Sequence, residues 1–471
     1  MNTLLVEAIT QAARRRNADL WLVGGPVRDA LLGVPCHDWD MVCKKASSVA
    51  QEVAKRLHAK FITLDEQHKI YRIILPASFR PIHTLDFAEL QGRTIEEDLK
   101  RRDFTINAMA RIFPEGKIID PFQGERDLKK KIIRAVSEQA FIEDPLRLVR
   151  AFRFSAQFNF TIEPRTLRWI KKHREGLSKI ASERIREELL RLWRQPCPSA
   201  SLRLMDRVQL LVKLFPEIEA CRRTAIRYYG RGGVLKHSFE TVENMQWILE
   251  RICRHGGFAG TAVLPLRQIQ PYLSGLVGGY PRSAWLKWGA FLHDIGKPAT
   301  AKVVKGRLRF FEHEHVGAAL AIRLGQRLRC SRQEEQLLGL WVRNHMRLGN
   351  LAAAARITDK AISRYFRDLG EDGVGMVFIS LADHYTYLRK SQWGKGTDPV
   401  EKMGRRLLTS YYEQRSKILP ERVVDGHLLM RQLKIKPGPL VGKLLEAIQD
   451  AQAEGKVTTK EEAIGFARRL L

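Results

Sequence analysis

The sequence predicts a multidomain protein of class α+β followed by all-α. Three observations carry this. At 471 residues the chain is too long for one compact core, so two to four domains are expected. Short apolar runs bounded by turn residues occur up to about residue 140 and read as strands. From about Glu143 onward the apolar spacing becomes helical almost throughout.

In the first region, Leu20-Trp21-Leu22-Val23 is an apolar run ending at Gly24-Gly25, a strand feeding a turn. Trp39-Asp40-Met41-Val42-Cys43, Tyr71-Arg72-Ile73-Ile74-Leu75 and Ile82-His83-Thr84-Leu85-Asp86-Phe87 also read as strands. In the helical region, Gly230-Arg231-Gly232-Gly233 is the best boundary ahead of a second functional unit. Another gap runs through Ser391-Gln392-Trp393-Gly394-Lys395-Gly396. The end reads as a small helical module with Gly426, Pro437-Gly438-Pro439 and two helices split at Gly455. The expected domains are 1–140, 141–225, 226–400 and 401–471.

Composition narrows the function classes. Hydrophobic residues at 44% suffice for several cores. No apolar run reaches about 18 residues, so no membrane-spanning helix is expected. The N-terminus mixes acid and base in a helical pattern and lacks the features of a signal peptide. Lys and Arg number 81 against 52 Asp and Glu, a net charge of +29. So basic a chain is expected to meet a polyanion. The charge is scattered, for example from Arg222 to Arg231 and from Arg327 to Arg343, which suggests a broad surface and not one basic arm. The six cysteines (Cys36, Cys43, Cys197, Cys221, Cys253, Cys330) form no C-x-x-C pair. That excludes a disulfide framework and a thiolate zinc site, and fits a reducing, cytoplasmic compartment.

The first chemical constellation starts at Gly24-Gly25-Pro26-Val27-Arg28. Two glycines after a strand let backbone approach a phosphate, and the next helix aims its first amides at it. Arg28 adds charge-assisted bonds to the same group. Next comes Asp38-Trp39-Asp40. On a strand these two carboxylates share a face, which is repulsive unless a cation lies between them. Hard oxygen ligands at that spacing suit Mg²⁺ bridged to substrate phosphates. Further on, Asp144 and Pro145 suit the start of a helix, along which Arg147, Arg150 and Arg153 form a broad basic face.

These segments, with EEDLKRRDFTINAMA, DPFQGERDL, EDPLRLVRAFRF and ERIREEL, occur in family order over roughly residues 20–190. The chain thereby resembles the class II tRNA nucleotidyltransferase and bacterial poly(A) polymerase family. The resemblance implies a polymerase-β-like mixed-sheet head, a helical neck, a helical HD domain and a helical tail. It implies that Asp38 and Asp40 bind the catalytic metals and that Gly25 and Arg28 hold triphosphate. Asp144 and Arg147 match the pair that reads the edge of incoming C or A, with the protein as template. Arg102 matches their support, Asp103 the ribose contact, and Arg150 and Arg153 further triphosphate contacts. Such a template is physically sound. Asp144 accepts from the exocyclic amine of cytosine or adenine and Arg147 donates to a ring nitrogen or the cytosine carbonyl. Uracil and guanine would leave buried charges unpaired.

Two departures stand out. Pro26 replaces the family's usual small residue and stiffens the turn. Between Asp86 and Glu96 lie only residues 87–95, where enzymes that add all of CCA commonly carry a longer flexible loop. The short segment resembles enzymes that add only CC; full CCA addition stays open. Poly(A) polymerase is an alternative, although the basic G-R-R-F-R-like signature of that branch is absent.

A second constellation comprises His237, His293-Asp294, His313, His345 and Asp383. Adjacent His and Asp at a helix end, with further His and Asp before and after, is a metal-site arrangement. It looks like the HD phosphohydrolase superfamily. The resemblance implies a divalent transition metal, in a site with ligands enough for a pair, and hydrolysis of 2′,3′-cyclic or terminal phosphates. The tail is similar to the C-terminal module of these enzymes and is expected to grip the tRNA body, with Lys434, Lys436 and Lys443 on phosphates. The expected substrates are tRNA with CTP and/or ATP. A rival reading is an HD phosphohydrolase whose N-terminal part only binds RNA, against which intact Asp38 and Asp40 speak.

Overall fold

The computed structural model describes residues 3–255 and 266–471. It divides into two compact units, residues 1–188 with 204–213, and residues 189–203 with 214–471. Residues of the expected head and most of the expected neck thus share one unit.

The first unit opens with helix α1 (Thr3–Arg15), then β1 (Leu20–Val23), α2 (Gly25–Leu32), β2 (Asp38–Cys43), α3 (Ala46–Arg56), β3 (Lys60–Asp65), β4 (Ile70–Ile74) and β5 (Thr84–Glu89). It continues through α4 (Ile95–Lys100), β6 (Ala110–Ile112), β7 (Ile118–Ile119), α5 (Gly124–Lys130), α6 (Gln139–Glu143) and α7 (Arg147–Phe158). The strands form one seven-stranded sheet in the order β3-β4-β5-β2-β1-β6-β7. Only β2 and β5 pair in parallel, so the sheet is mixed.

Side-chain parity explains why the sheet has a functional face. Trp39, Met41 and Cys43 of β2 and Leu85 and Phe87 of β5 pack with Leu5 and Ile9 of α1 and Val49 and Val53 of α3. Val42, on the alternate parity, joins Val23, Ile95 and Leu99 on the other face, where Ala88 also packs. Asp38, Asp40 and Asp86 share the parity of Val42 and Ala88, away from α1 and α3.

In the second unit the helices Gly233–His255, Arg282–Leu292, Arg332–Asn344 and Asp372–His384 supply the core. The glycines at and just before the start of the first of these are at positive φ: Gly230 +78°, Gly232 +105° and Gly233 +54°. A Cβ on Gly233 would stand 2.1 Å from the Thr224 carbonyl oxygen, so no other residue fits there. The helical remainder is interrupted by short strands, at Thr161–Ile162, at Leu276–Val277 with Tyr280–Pro281, and at a longer hairpin. Ala301–Val304 and Arg307–Phe310 form an antiparallel hairpin turned by Lys305 and Gly306, both at positive φ. Its Val-Val-Lys-Gly-Arg-Leu core is a hairpin signal that helical spacing on either side obscures.

The tail has its own core of Val424, Leu429, Leu444, Ile448, Val457 and Ala463, from helices Gly426–Leu433, Pro439–Ala453 and Lys460–Arg468. Gly455, at φ +73°, separates the last two. Lys434, Lys436 and Lys443 are all exposed. No helix of the described residues is long and apolar enough to cross a membrane.

Candidate active sites

β2 and β5 bring three carboxylates together. Asp40 stands beside Asp86 in the parallel register, with Asp38 two residues earlier on the same face. Thr84 Oγ1 donates to Asp38 Oδ1 at 2.7 Å. Arg72 of β4 grips Asp86 with two bonds, 2.7 and 2.6 Å. Burial, with Asp86 and Asp38 nearby, pushes the Asp40 pKa up to about 6 against the pull of Arg102 and Arg28. A nearby cation would offset that burial and repulsion and favour the ionised form. Asp86 was not among the residues singled out as ligands. Its strand and parity were legible, but only the parallel pairing puts it next to Asp40.

The glycine turn overlooks these carboxylates. Gly24 has φ +70°, and a Cβ there would stand 2.8 Å from Arg102 Nη1. A Cβ on Gly25 would meet only Arg28 Nη2 and Asp40 Oδ2, each at 3.7 Å. Gly24 is therefore required by its left-handed backbone. Gly25 is not, and it keeps open the space between an arginine and a carboxylate. Pro26 occupies the first turn of α2, where its fixed φ suits the helix.

Arg28 is buried. It donates to Asp29 at 2.8 Å and to Asn107 Oδ1 at 2.5 Å, and its guanidinium lies 4.7 Å from the Phe158 ring centre. Asn107 also donates from Nδ2 to Asp103 Oδ1 at 3.0 Å. Arg150 donates twice to Asp103 Oδ2, at 2.9 and 2.7 Å. Arg153 donates to Glu188 at 2.6 Å, and Arg150 approaches the same carboxylate at 3.8 Å. One buried chain of polar contacts thus runs from the glycine turn to α7. Burial alone would raise the Asp103 pKa; Arg150 and Asn107 outweigh it and hold it at about 2.

Three of the residues expected to contact the nucleotide already have partners within the protein. Asp103, expected at the ribose, accepts from Phe104 N–H, Asn107 and Arg150. Arg150 and Arg153, expected on triphosphate, are held by carboxylates on the inner side of α7. The reason is helical phase: Arg153 falls among the buried Val149, Phe152 and Phe154. Asn107 and Glu188, which complete the chain, lay inside quoted segments without being singled out.

Asp144 and Arg147 flank the start of α7, both half-buried. Asp144 Oδ1 accepts the Leu146 N–H at 3.2 Å and its Oδ2 accepts from Arg184 at 3.0 Å. Arg147 Nη1 donates to the Ala140 carbonyl at 3.2 Å. Arg102 pairs with Asp98 at 3.3 Å. Arg184 is a further addition to the site; only the fold shows that it reaches Asp144 across forty residues.

The segment between β5 and α4 is short and closed. Leu90 N–H donates to the Cys43 carbonyl, Gln91 N–H to Asp98 and Arg93 N–H to Glu97, at 3.0, 3.2 and 2.7 Å. Thr94 caps α4 by accepting from Glu97 N–H.

In the second unit, His237, His293, Asp294, His313, His345 and Asp383 converge in two triads that share Asp294. Asp294 Oδ2 lies 3.2 Å from His237 Nε2 and 3.3 Å from His293 Nε2. Its Oδ1 lies 3.4 Å from His313 Nε2 and 3.5 Å from His345 Nε2. Asp383 Oδ1 joins the first triad, 3.0 Å from His237. His293, His313 and His345 each turn Nδ1 onto the carbonyl three residues earlier, Ala290, Phe310 and Val342, at 2.8 to 2.9 Å. Those bonds fix the tautomer and aim every Nε2 inward as a ligand. The hairpin supplies the Phe310 carbonyl, and so the orientation of His313.

The donor set fits a divalent metal pair. Asp294 Oδ1 and Asp383 Oδ1 are buried with no hydrogen bond reaching them. Two imidazole pairs place their Nε2 atoms 3.2 Å apart, which needs a proton or a metal between. Burial opposes charge on His293, yet Asp294 and Asp383 raise its pKa to about 10. The cluster demands positive charge.

A mixed sheet presenting three carboxylates under a glycine turn, followed by a buried histidine–aspartate cluster, defines a nucleotidyltransferase head joined to an HD domain. Comparison with known proteins agrees. Residues 20–134 match the poly A polymerase head domain, 159–222 the RNA and SrmB-binding site of polymerase A, 234–388 the HD domain and 402–467 tRNA nucleotidyltransferase domain 2. The chain is 31% identical over 468 residues to the CC-adding tRNA nucleotidyltransferase of Thermus thermophilus, covering 95% of this chain and 93% of that one. It is 30% identical over 460 residues to the A-adding tRNA nucleotidyltransferase of Deinococcus radiodurans, covering 95% and 94%. The fold is similar to that of the Thermotoga maritima CCA-adding enzyme complexed with tRNA, at TM-score 0.62 and 23% identity over 99% of this chain and 97% of that one. The chain belongs to the tRNA nucleotidyltransferase family.

Proposed function

We propose that the head adds cytidylate residues from CTP to the 3′ end of tRNA, and stops after CC. The observation behind the stop is the closed segment at residues 90–94, tied down at Leu90, Gln91, Arg93 and Thr94. It leaves no long loop to re-form the pocket for adenine. Asp38 and Asp40, with Asp86 alongside, would hold Mg²⁺, which supplies charge neutralisation at the 3′ oxygen and the leaving pyrophosphate. Arg28 and the opened space at Gly25 receive the triphosphate. Asp144 and Arg147 read the base edge. Arg184 and the Ala140 carbonyl hold those two side chains at fixed positions, so a mismatched base cannot find new partners. Mixing the protein with tRNA lacking CCA and tRNA ending in CC, with CTP and ATP present, tests the reading. Two cytidines on the first substrate and nothing on the second are expected. Adenosine added after CC would overturn the stop, and no incorporation at all would overturn the transferase reading.

The HD site is assigned a separate hydrolytic activity on 2′,3′-cyclic or terminal phosphates, on the strength of the shared Asp294 between two histidine pairs. A water oxygen bonds to phosphorus, one ester P–O bond breaks, and the departing oxygen takes a proton. The protein with added Mn²⁺ or Ni²⁺ should hydrolyse such esters and Asp294→Ala should not. Equal rates in the two would sink this second activity.

A further inference from the structure

We infer that Tyr229 and Tyr387 form a substrate clamp at the HD site, with a hydroxyl for a phosphoryl oxygen and an exposed ring for a nucleobase. The inference rests on the hydrolytic reading of that site and adds what the site selects.

The two tyrosines stand on one side of the cluster. Tyr229 stacks on His237 with ring centres 4.5 Å apart, and the Tyr387 ring centre lies 5.8 Å from the same imidazole. Their hydroxyls are 3.3 Å apart. Lys297 Nζ donates to Tyr229 OH at 2.7 Å and to Asp294 Oδ2 at 2.5 Å. An ammonium has donors only, so the Tyr229 oxygen accepts from it and keeps its own proton to donate elsewhere. That proton is available to Tyr387 or to an anion at the metal pair. One ammonium and two hydroxyls therefore border a place where metal ligands would hold a phosphoryl group.

Tyr387 has a second property. It is 55% exposed, although its hydroxyl is tethered. A tethered, exposed ring loses little freedom on binding and offers a flat apolar face. Tyr228 is 75% exposed, its ring centre 5.9 Å from that of Tyr229. Exposed Phe311 lies two residues before His313 in the chain, and exposed Met346 follows His345. Apolar surface of this kind beside a cationic centre suits a phosphate ester that carries a base. A base-less ester would use the Lys297 and Tyr229 side alone.

The test compares adenosine 3′-phosphate with glycerol 2-phosphate on Mn²⁺-loaded protein, with CTP saturating the head. Wild type should bind the nucleotide at least about tenfold more tightly, the range that one base–aromatic stack supports. Tyr387→Ala should erase that preference and leave glycerol 2-phosphate unchanged; Tyr387→Phe should keep it. Tyr229→Phe should weaken both ligands. Metal content and CTP incorporation should be unaltered in all three. Absence of a preference in wild type, or its survival in Tyr387→Ala, overturns the clamp. Preference without hydrolysis of either ester would uphold the clamp and sink the hydrolytic reading. Hydrolysis of both esters without preference would do the reverse.

Discussion

In the head, three carboxylates line one face of a sheet, and arginines from neighbouring elements stand around them. In the HD cluster, two carboxylates lie buried among four histidines. Sheet register supplies the first arrangement: parallel pairing of β2 and β5 forces Asp40 and Asp86 side by side. Helix ends supply the second: His293 and His345 close helices, His313 opens one, and backbone carbonyls orient all three rings. The first site keeps open space over Gly25, between Arg28 and Asp40. The second would surround a metal with fixed nitrogen ligands. Hard oxygen donors suit Mg²⁺ shared with substrate, and imidazole donors suit a resident transition metal.

That contrast can be broken most sharply by single substitutions. Asp40→Ala should lower CTP incorporation by about a thousandfold or more, as loss of a preorganised charge-stabilising group does, while tRNA retention on a filter persists. Asp294→Ala should leave incorporation within about twofold, since separate metals serve separate sites. A large loss of incorporation in Asp294→Ala would show that the sites are not independent. Chelation should separate them again: after EDTA and gel filtration, Mg²⁺ alone should restore incorporation, and Mn²⁺ or Ni²⁺ should be needed for ester hydrolysis.

Asn107→Ala tests the chain of contacts inside the head. It removes the acceptor for Arg28 and a donor to Asp103, both buried. The expected cost is about 1–3 kcal/mol of stability and about a tenfold loss in kcat/KM for CTP, with HD hydrolysis unchanged. Unchanged kinetics and melting would show that Asp29 and the aromatic neighbours suffice to position Arg28.

The smallest expected effect is on pH dependence. The folded pKa of Asp103, about 2, lies below its unfolded value. Its contribution is therefore present above about pH 4 and lost as pH falls from there toward 2. The size is on the order of 2 kcal/mol. In chemical denaturation across that window, Asp103→Asn should flatten the decline. An unchanged slope would remove Asp103 as the anchor of Arg150.

Much of this was legible because local signals agreed. The run Leu20–Val23 ending in two glycines is the observed β1 and turn, and alternation put Asp38 and Asp40 on one face. The ordered histidines and aspartates meet as one cluster. What escaped was long-range or phase-dependent. Asp86 becomes a partner of Asp40 through strand pairing, Arg184 reaches Asp144 from a distant helix, and Arg153 turns inward by its helical phase. The hairpin at 301–310 was hidden by the helical pattern around it.

By itself the sequence determined the chemistry on offer: hard carboxylates after a glycine turn, a histidine–aspartate series, a strongly basic chain and a short segment after Asp86. Residue type and local spacing suffice for that, because they set charge, donor capacity and facing. Tertiary structure alone decided how those groups are partnered within the protein. Asp103, Arg150 and Arg153 carry the right charges yet are engaged with one another or with Glu188, since a buried charge is stable only when paired. Gly25, with no unusual composition around it, borders the space left between Arg28 and Asp40.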